Sequence, residues 1–480
     1  MKIYLETLGC QMNQLDSELL LGRFRARDWD IVDSAKDADA VLYNTCSVRD
    51  LAEQKVYSRL GRDSRRKLDR NAIGRVYVIA VFGCMAQRDP KELRRRCKGL
   101  DIICAPGQIE KLPELLEAAA DAQLAAIQPL ESDALAAPAP MPAIFTDPKR
   151  TEAPDTAAEA RIDQLDLTRD PELRSSKSQA FVRVARGCNN FCSYCIVPYV
   201  RGPERSREPS HILDETRRLV GAGVSEVTLI GQTVNRYCHT AGDVTTSFAG
   251  LLETLHDLDG LRRLRFVTSH PSGFGRETLE AMRDLPKVCE YMHMPAQHGS
   301  DRLLAAMNRG YTRSDYDALV DLAREIVPGV TFASDFIVGF PGETEAEHQA
   351  TIDLMRRVQF KNSFVFKYSP RPGTAAAKTL TDDISDEVKK RRNNELLDIQ
   401  RETGLTHHRS YIGQQIEVLV TGKSRRSEKQ DSPATGETMQ LMGRTRGDHI
   451  VLFDGAQAMV DSYQTLTITD ANDLALFATL

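Results

Sequence analysis

Short apolar runs alternate with longer helical stretches along the first part of the chain. The apolar runs cover residues 3–8, 40–44, 76–82 and 102–104. A basic helical stretch at 56–75 lies between the second and the third of these runs. Apolar runs of this length, separated by helices, are typical of an open α/β sheet with parallel strands. We therefore predict an α/β domain over residues 1–117.

Residues 118–178 differ in composition from the segments on either side. An Ala/Pro-rich stretch at 136–143 is followed by acidic and polar residues. Such a segment cannot bury enough apolar surface to fold alone. We interpret it as a linker or a disordered insertion between two domains.

Six strand-like runs alternate with helical segments in the central part of the chain. The runs are 181–185, 226–230, 264–268, 291–294, 331–338 and 363–368. A helix over residues 385–403 closes this region. Six such units predict a partial parallel α/β barrel over residues 179–408, with its active site at the C-terminal ends of the strands.

Residues 409–480 contain three further β-like runs, with glycine and charged residues between them. The runs are 415–420, 449–453 and 466–469. This pattern predicts a small β-barrel as the last domain. The predicted fold class is α/β, with an open sheet, a partial barrel and a small C-terminal β-barrel in that order.

The composition limits the class of protein. Charged residues make up 27% of the chain and hydrophobic residues 41%, as in ordinary globular proteins. The longest apolar run, 76–82, is too short to span a bilayer, and the N-terminus lacks the long apolar region of a signal peptide. We expect a cytoplasmic protein that does not bind membranes. Cytosolic thiols stay reduced, so the ten cysteines indicate metal binding or catalysis rather than disulfides.

Three cysteines follow the first strand of the predicted barrel. Cys188, Cys192 and Cys195 have C-x-x-x-C-x-x-C spacing, with Tyr194 before the last of them. Three thiolates on one loop can bind three irons of a 4Fe-4S cluster and leave the fourth iron open. An open iron can chelate S-adenosylmethionine (SAM) and pass it an electron, which yields a radical able to remove hydrogen from unactivated carbon.

A zinc site is the alternative for this loop. Zinc sites normally use four ligands, paired as C-x-x-C or combined with histidine, and no histidine lies near this run in the sequence. The spacing therefore favours the SAM-cleaving cluster. It also resembles the motif of the radical-SAM superfamily, including the aromatic residue at position 194.

Three further cysteines each follow one of the first three predicted strands of the N-terminal domain. They are Cys10, Cys46 and Cys84. The carboxyl ends of parallel strands meet at one edge of a sheet, so these thiols are predicted to form a second three-ligand site for a second 4Fe-4S cluster. The alternative is three unrelated buried cysteines, because cysteine is often buried. We interpret the remaining four as packing or surface residues: Cys97, Cys104, Cys238 and Cys289.

Longer segments around these cysteines resemble a known protein family. The segments are 4–18, 44–61, 83–87, 187–207, 231–235, 268–271 and 337–344. They resemble the radical-SAM methylthiotransferase family, and the likeness covers nearly the whole chain except the predicted linker. The residues after the first cysteine, Gln11-Met12-Asn13, match the branch that acts on isopentenyladenosine in tRNA. Two departures are the length of the Ala/Pro-rich segment and residues 297–300, where Gln-His-Gly-Ser replaces the more common Gln-Ser-Gly-Ser.

The resemblance implies a reaction. One SAM donates a methyl group to a sulfur carried on the N-terminal cluster, and a second yields a 5′-deoxyadenosyl radical. The radical removes hydrogen from carbon 2 of N6-isopentenyladenosine at tRNA position 37, where the methylthio group is then attached. The family alternatives are a ribosomal-protein aspartate and threonylcarbamoyladenosine in tRNA, and a non-catalytic zinc protein that binds RNA is the alternative outside the family. We expect a monomer that receives electrons from a donor such as flavodoxin.

The resemblance also implies that residues 409–480 are a TRAM domain, a β-barrel that grips tRNA. Charge alone supports this weakly, because this segment contains seven Lys/Arg and nine Asp/Glu, and the whole chain has a net charge of −5. One basic face could still form from Lys423, Arg425, Arg426, Arg444 and Arg446, but the family likeness, not the charge, supports RNA binding. Two other basic runs, 59–75 and 389–392, are either phosphate contacts or ordinary solvated helix surfaces, and we slightly favour the second interpretation.

Overall fold

The computed structural model describes residues 1–47, 50–127, 142–147, 156–174, 176–424 and 438–480. The chain divides into two units. The N-terminal unit contains Met1–Arg174, Arg186–Asn189 and Cys195–Arg205. The C-terminal unit contains Ser175–Ala185, Asn190–Tyr194 and Ser206–Leu480. The predicted boundaries at 117, 178 and 408 stay predictions.

The N-terminal unit is built on a parallel sheet of six strands in the order β2-β1-β3-β4-β5-β6. The strands are β1 (Lys2–Leu8), β2 (Asp30–Ile31), β3 (Ala40–Thr45), β4 (Val78–Gly83), β5 (Ile102–Cys104) and β6 (Ala143–Phe145). Every residue of β3 and β4 is buried, as expected for central strands of a parallel sheet that is covered on both faces. The predicted open α/β sheet is confirmed.

The N-terminal unit also contains helices. They are α1 (Gln11–Arg25), α2 (Asp50–Asn71), α3 (Cys84–Arg88), α4 (Pro90–Arg96), α5 (Leu112–Ile127), α6 (Thr156–Thr168) and α7 (Val197–Val200). The basic stretch predicted at 56–75 lies within α2 and the turn that follows it. Among the described residues no helix is long and apolar enough to cross a membrane.

The segment predicted as a linker contains ordered structure, including the end of α5, β6 and α6. β6 pairs in parallel with β5, and α6 buries Ile162 and Leu165. The interpretation of this segment as a linker or a disordered insertion is therefore wrong for β6 and α6. A three-residue strand needs no core of its own when it adds to the edge of an existing sheet, so composition alone does not reveal it. Residues 128–141, 148–155 and 175 of the segment lie outside the described residues.

The C-terminal unit begins with two three-stranded parallel sheets, in the orders β13-β10-β7 and β14-β15-β16. A parallel bridge joins Leu264 of the first sheet to Val288, just before the second. These six strands confirm the predicted partial barrel. The strands of this region are β7 (Gln179–Arg183), β8 (Ala185–Arg186), β9 (Arg205–Ser206), β10 (Glu226–Ile230), β11 (Cys238–Ala241), β12 (Val244–Ser247), β13 (Arg263–Phe266), β14 (Tyr291–His293), β15 (Thr331–Val338) and β16 (Asn362–Lys367).

Amphipathic helices pack against these strands around one large apolar core. Several begin with a side-chain cap; Thr312 and Thr344, for example, each accept a hydrogen bond from the backbone N–H three residues further on. The helices are α8 (Pro209–Gly221), α9 (Phe248–His256), α10 (Arg276–Asp284), α11 (Asp301–Ala306), α12 (Arg313–Ile326), α13 (Glu345–Val358), α14 (Ala375–Thr379) and α15 (Asp386–Arg409).

A closed five-stranded barrel ends the chain, as predicted. Its strands are β17 (Gln415–Lys423), β18 (Met439–Arg444), β19 (Ile450–Gly455), β20 (Tyr463–Ala471) and β21 (Leu476–Thr479). Arginines of β13 bind the barrel: Arg263 donates to the Glu417 carbonyl at 2.9 Å, and Arg265 donates to the Arg446 carbonyl at 2.8 Å. These hydrogen bonds attach the barrel to the rest of the C-terminal unit.

Two arginines of the basic face considered for this barrel pair with carboxylates. The Arg444 Nη1 pairs with the Asp448 carboxylate at 2.9 Å, and the Arg446 Nη2 pairs with the Glu290 carboxylate at 2.6 Å. Both charges are therefore balanced within the fold, and the prediction is wrong for these two arginines. Arg425 and Arg426 lie outside the described residues.

Candidate functional site

The C-terminal edge of the N-terminal sheet brings together three predicted site cysteines. β1, β3 and β4 are neighbours, and their registers align Leu8 with Thr45 and Thr45 with Gly83. Cys46 and Cys84 directly follow two of these positions and are buried, and Cys10 lies two residues after Leu8 and is half-buried. Residues far apart in the sequence are therefore neighbours at one edge of the sheet.

Two buried asparagines hold this edge in place. The Asn13 Oδ1 accepts hydrogen bonds from the Cys10 backbone N–H at 3.4 Å and from the Cys10 thiol at 3.3 Å. The Asn13 Nδ2 donates to the Asn44 Oδ1 at 2.6 Å, and the Asn44 Nδ2 donates back to the Asn13 carbonyl at 2.8 Å. This reciprocal pair joins the start of α1 to the end of β3, and so fixes Cys10 relative to Cys46.

Gly83 allows β4 to turn directly into α3, whose first residue is Cys84. Its φ is +96°, and a Cβ at this position would lie 2.6 Å from the Asn44 Oδ1 and 2.7 Å from the Thr45 carbonyl oxygen. Both the backbone conformation and the space therefore require glycine. The residue before the cysteine fixes the direction in which the cysteine leaves the sheet.

A buried arginine contacts the same edge. The Arg201 Nε lies 3.2 Å from the Cys84 Sγ, and its Nη1 donates to the Asp16 carboxylate at 3.0 Å. Cys84 also packs against Ile196 and Val200. The sequence interpretation did not single out Arg201, although Asp16 and Arg201 both lie in segments that carry the family likeness. Their presence in these two segments was the signal in the sequence that could have identified the pair.

The thiols at this edge differ in acidity. A hydrogen bond from Cys46 lowers the pKa of Cys10 to about 6; burial opposes this shift and the charge of Arg201 adds to it. Burial raises the pKa of Cys84, and Arg201 only partly offsets that effect. Because the thiolate is the form that binds metal, Cys10 is the thiol best prepared to act as a ligand.

These residues fit a 4Fe-4S cluster with three protein ligands. Among the described residues, no three Cys, His, Asp or Glu side chains are gathered closely enough to bind a single metal ion. A cubane takes its thiolates at three separate irons, so its ligands do not have to converge on one point. Three thiols with a buried cation suit an anionic cluster of this kind. The role of Cys10, Cys46 and Cys84 as its ligands stays a prediction.

The second set of cysteines lies on residues 188–195, with Cys188 and Cys192 buried and Cys195 half-buried. The loop starts at Gly187, whose φ is +70° and whose added Cβ would overlap the carbonyl oxygens of Gly202 and Pro203. The Cys188 N–H donates to the Gly202 carbonyl at 3.2 Å. The backbone therefore holds the start of the loop tightly in the N-terminal unit.

Gly187→Ala is expected to lower the free energy of unfolding by about 3 kcal/mol, which combines left-handed backbone strain with overpacking against backbone. Urea denaturation measures this loss, and iron content after anaerobic reconstitution measures its effect on the cysteine loop. Gly202→Ala is the matched control, because Gly202 has a φ of +76° but nothing within 4 Å of an added Cβ. An equal loss in both variants would show that steric overlap at Gly187 does not matter.

Contacts in the C-terminal unit hold residues 190–194 at the C-terminal ends of the barrel strands. The Arg309 Nη1 donates to the Cys192 Sγ at 3.3 Å, and its Nη2 donates to the Pro295 carbonyl, just after β14, at 2.9 Å. The Asn190 Nδ2 donates to the Thr233 Oγ1, just after β10, at 3.4 Å. Cys192 is thus placed beside the end of the barrel where parallel α/β barrels have their active sites.

Unpartnered polar atoms lie at the same end of the barrel. Among the described residues, the Gln232 Oε1, Ser269 Oγ and His270 Nε2 are buried without a hydrogen-bond partner. Burial, with Arg309 and Arg236 nearby, lowers the pKa of His270 to about 3, so the ring is neutral at pH 7. Buried polar atoms are normally satisfied, so this group of atoms indicates a place for a polar ligand.

His298, a departure from the usual family sequence, has a structural role. Its Nε2 donates to the Glu343 carboxylate at 3.1 Å, and its Nδ1 accepts from the Ser300 N–H at 3.1 Å. Glu343 also pairs with Arg392 at 3.0 Å, and all three side chains are buried. The histidine therefore belongs to a buried ion-pair network that joins the loop after β14 to α15.

The basic runs are largely neutralised within the fold. Arg59, Arg66, Lys67 and Arg70 of α2 pair with carboxylates, and so do Lys389, Arg391 and Arg392 of α15. These pairings support the interpretation as ordinary helix surfaces. The exposed side chains of Arg62, Arg65 and Arg75 have no carboxylate partner among the described residues.

Sequence profiles of two families match this chain. The profile described as uncharacterized protein family UPF0004 matches residues 2–105, and that of the radical SAM superfamily matches residues 182–355. Among solved structures, the radical SAM methyltransferase TsrM from Kitasatospora setae is similar, with a TM-score of 0.52, 17% identity, and coverage of 78% of this chain and 74% of that one. The likeness to this solved structure shows the fold alone, because the sequence identity is low.

Curated relatives match almost the entire chain. A Rhodopirellula baltica protein is 41% identical over 474 residues, covering 99% of this chain and 94% of that protein. A Syntrophotalea carbinolica protein is 40% identical over 469 residues, covering 98% of this chain and 97% of that protein. Both are named tRNA-2-methylthio-N(6)-dimethylallyladenosine synthase.

The fold and the matched profiles define a radical-SAM protein with an additional α/β domain at its N-terminus. More specifically, the chain belongs to the tRNA-2-methylthio-N(6)-dimethylallyladenosine synthase family. The family likeness predicted from the motifs is thereby confirmed.

Proposed function

We propose that this protein attaches a methylthio group to carbon 2 of N6-isopentenyladenosine at position 37 of tRNA, using two molecules of SAM. The observation that carries the proposal is the likeness to curated relatives of that name along nearly the whole chain. The meeting of Cys10, Cys46 and Cys84 at one edge of the N-terminal sheet, and the position of Cys192 beside the barrel strands of its own unit, support it. The ribosomal-protein and threonylcarbamoyladenosine alternatives lack this support.

Two 4Fe-4S clusters are proposed as cofactors. One cluster would be held by Cys188, Cys192 and Cys195 and would supply the electron for SAM cleavage. The other would be held by Cys10, Cys46 and Cys84 and would supply the sulfur. The protein fixes these ligands through Arg309 at Cys192 and through the asparagine pair at Cys10 and Cys46. Among the described residues, the Gln232 Oε1, Ser269 Oγ and His270 Nε2 are without a partner and are available to bind polar groups of SAM or of the adenine base.

The neutral state of His270 suits such a role. With a pKa of about 3, its imidazole carries no positive charge at pH 7 that would repel the sulfonium of SAM. The Nδ1 lies 2.8 Å from the Ser272 Oγ, and the Nε2 remains for a ligand. Residues 179–408 are proposed as the domain that performs the radical step, and residues 1–117 as the domain that carries the sulfur.

The target base has to leave the anticodon-loop stack to reach the radical, as for other enzymes that act on base atoms. Arg62, Arg65 and Arg75 on the N-terminal unit and the barrel over 409–480 are proposed to contact tRNA phosphates, which would make binding sensitive to salt. We further propose that the protein acts as a monomer in the cytoplasm, where tRNA is found, with flavodoxin or a similar protein as the electron donor.

The substrate is tested with the reconstituted protein, a reductant and SAM. We expect the methylthio product on isopentenylated tRNA at about a hundredfold higher rate than on the unmodified transcript, because burying four or so carbons contributes about 3 kcal/mol at about 0.8 kcal/mol per CH₂. Mass spectrometry of the digested nucleosides measures the product. Equal product on both tRNAs, or product only on the ribosomal protein, would contradict the proposed specificity.

A further inference from the structure

Arg201 places a positive charge in a buried position at the cysteine edge of the N-terminal sheet. The exposed fraction of its side chain is 7%, and that of its partner Asp16 is 1%. Two of its nitrogens are engaged, Nε with the Cys84 Sγ at 3.2 Å and Nη1 with Asp16 at 3.0 Å. The third, Nη2, is buried without a hydrogen-bond partner among the described residues.

A buried guanidinium with an unused donor needs an explanation. Burying an arginine is strongly unfavourable unless its charge is paired and its donors are satisfied. Asp16 balances the charge, and Cys84 uses the Nε donor. The unpartnered Nη2, beside a predicted cluster ligand, therefore indicates an anionic acceptor at this edge of the sheet.

We propose that Arg201 is a positioning residue for the cluster of Cys10, Cys46 and Cys84: it holds the Cys84 thiolate and donates from Nη2 to a sulfur of the bound cluster. This inference rests on the proposed function, which places the cluster there. Asp16 lies on α1, and Cys10 caps the same helix. Through its planar fork, Arg201 therefore links two ligands, Cys84 directly and Cys10 through α1.

The other set of cysteines has a comparable contact. In the C-terminal unit, the buried Arg309 donates to the Cys192 Sγ at 3.3 Å, and its other Nη donates to a backbone carbonyl. A buried guanidinium thus contacts one cysteine of each set. The two differ in one respect: Nη2 of Arg309 has a protein partner, whereas Nη2 of Arg201 has none among the described residues.

Hydrogen bonds and positive charge at a cluster favour its reduced, more negative state and so raise its reduction potential. Removing Arg201 should therefore make the cluster harder to reduce. Arg201→Gln removes the charge and the fork. Arg201→Lys keeps the charge but cannot reach Cys84, Asp16 and the cluster together, so its effect should be smaller.

The test uses the full-length protein with Cys188, Cys192 and Cys195 replaced by alanine, so that only the cluster of the N-terminal unit is loaded. Iron and sulfide per chain and an EPR-monitored potential titration are measured. In Arg201→Gln, the ratio of reduced to oxidised cluster at a fixed potential should fall at least tenfold, which is about 59 mV for a one-electron couple. Arg88→Lys is the matched control: the Arg88 side chain is 11% exposed and donates to the Glu53 carboxylate at 3.0 Å rather than to a cysteine.

The outcomes separate this inference from the proposed function. Full iron content with an unchanged potential in Arg201→Gln would overturn the role of Arg201. If Arg201→Gln does not retain iron, the Arg201→Lys variant decides. An unchanged reduction potential in Arg201→Lys would overturn the role of Arg201. A lowered potential, or a loss of iron that Arg88→Lys does not share, would support it. Cys84→Ala in the same background tests the cluster itself, since unchanged iron there would overturn the proposed function instead.

Discussion

Replacing Cys192 with alanine is expected to reduce 5′-deoxyadenosine formation to the background rate measured without protein. Three thiolates on residues 188–195 are the proposed ligands, and a cluster that already leaves one iron open cannot lose a further ligand and still hold SAM correctly. Cys192 is the most informative of the three because Arg309 fixes its Sγ at the barrel end. The same loss is expected for Cys188→Ala and Cys195→Ala.

Anaerobically reconstituted variants are assayed with dithionite and SAM, and 5′-deoxyadenosine is quantified by chromatography. Cys289→Ala is a matched control, because Cys289 is a buried cysteine of the same unit outside the motif. Cys238→Ala provides an exposed control. SAM cleavage by Cys192→Ala at the normal rate would contradict the assignment.

The strands that position the candidate site could be predicted because their signal is local. β3 and β4 are mostly apolar and buried throughout, as expected for strands in parallel α/β sheets. β2, β6 and β18 were missed. β2 and β6 complete a sheet that other strands define, and Gly443 and Arg444 interrupt the apolar pattern of β18.

The polar contacts of the site could not be predicted for a different reason. Asn13 with Asn44, and Arg201 with Cys84, are pairs that depend on the three-dimensional approach of distant segments. Asn44 carried one visible signal, as a polar residue within an otherwise apolar strand. Charge patterns were misleading in the C-terminal barrel, where Arg444 and Arg446 pair with carboxylates that the sequence does not identify as their partners.

The two cysteine sets differ in how far the sequence alone specifies them. The set at 188–195 is defined by its spacing within one loop, so the motif is visible without a fold. The other set depends on the alignment of three strands, and the registers of β1, β3 and β4 supply it. The glycine before Cys84 is part of the same arrangement, because without its left-handed φ that cysteine would leave the sheet in another direction.

Replacing Cys10, Cys46 and Cys84 together with alanine is expected to separate the two half-reactions. The variant should retain about half of the iron, since two equal four-iron clusters are proposed and one set of ligands is lost. It should still cleave SAM reductively, because Cys188, Cys192 and Cys195 are intact. It should transfer no methylthio group to isopentenylated tRNA, because the sulfur-carrying site is gone.

The measurements are iron and sulfide per chain, 5′-deoxyadenosine, and the methylthio nucleoside after tRNA digestion. Cys97→Ala with Cys104→Ala is the matched control, because both cysteines are buried in the same unit but lie outside the three strand ends. Only the triple variant loses the acidic Cys10 thiol and the acceptor of the Arg201 Nε. Unchanged iron content, or methylthio transfer at the normal rate, in the triple variant would show that these three cysteines do not bind the sulfur-supplying cluster.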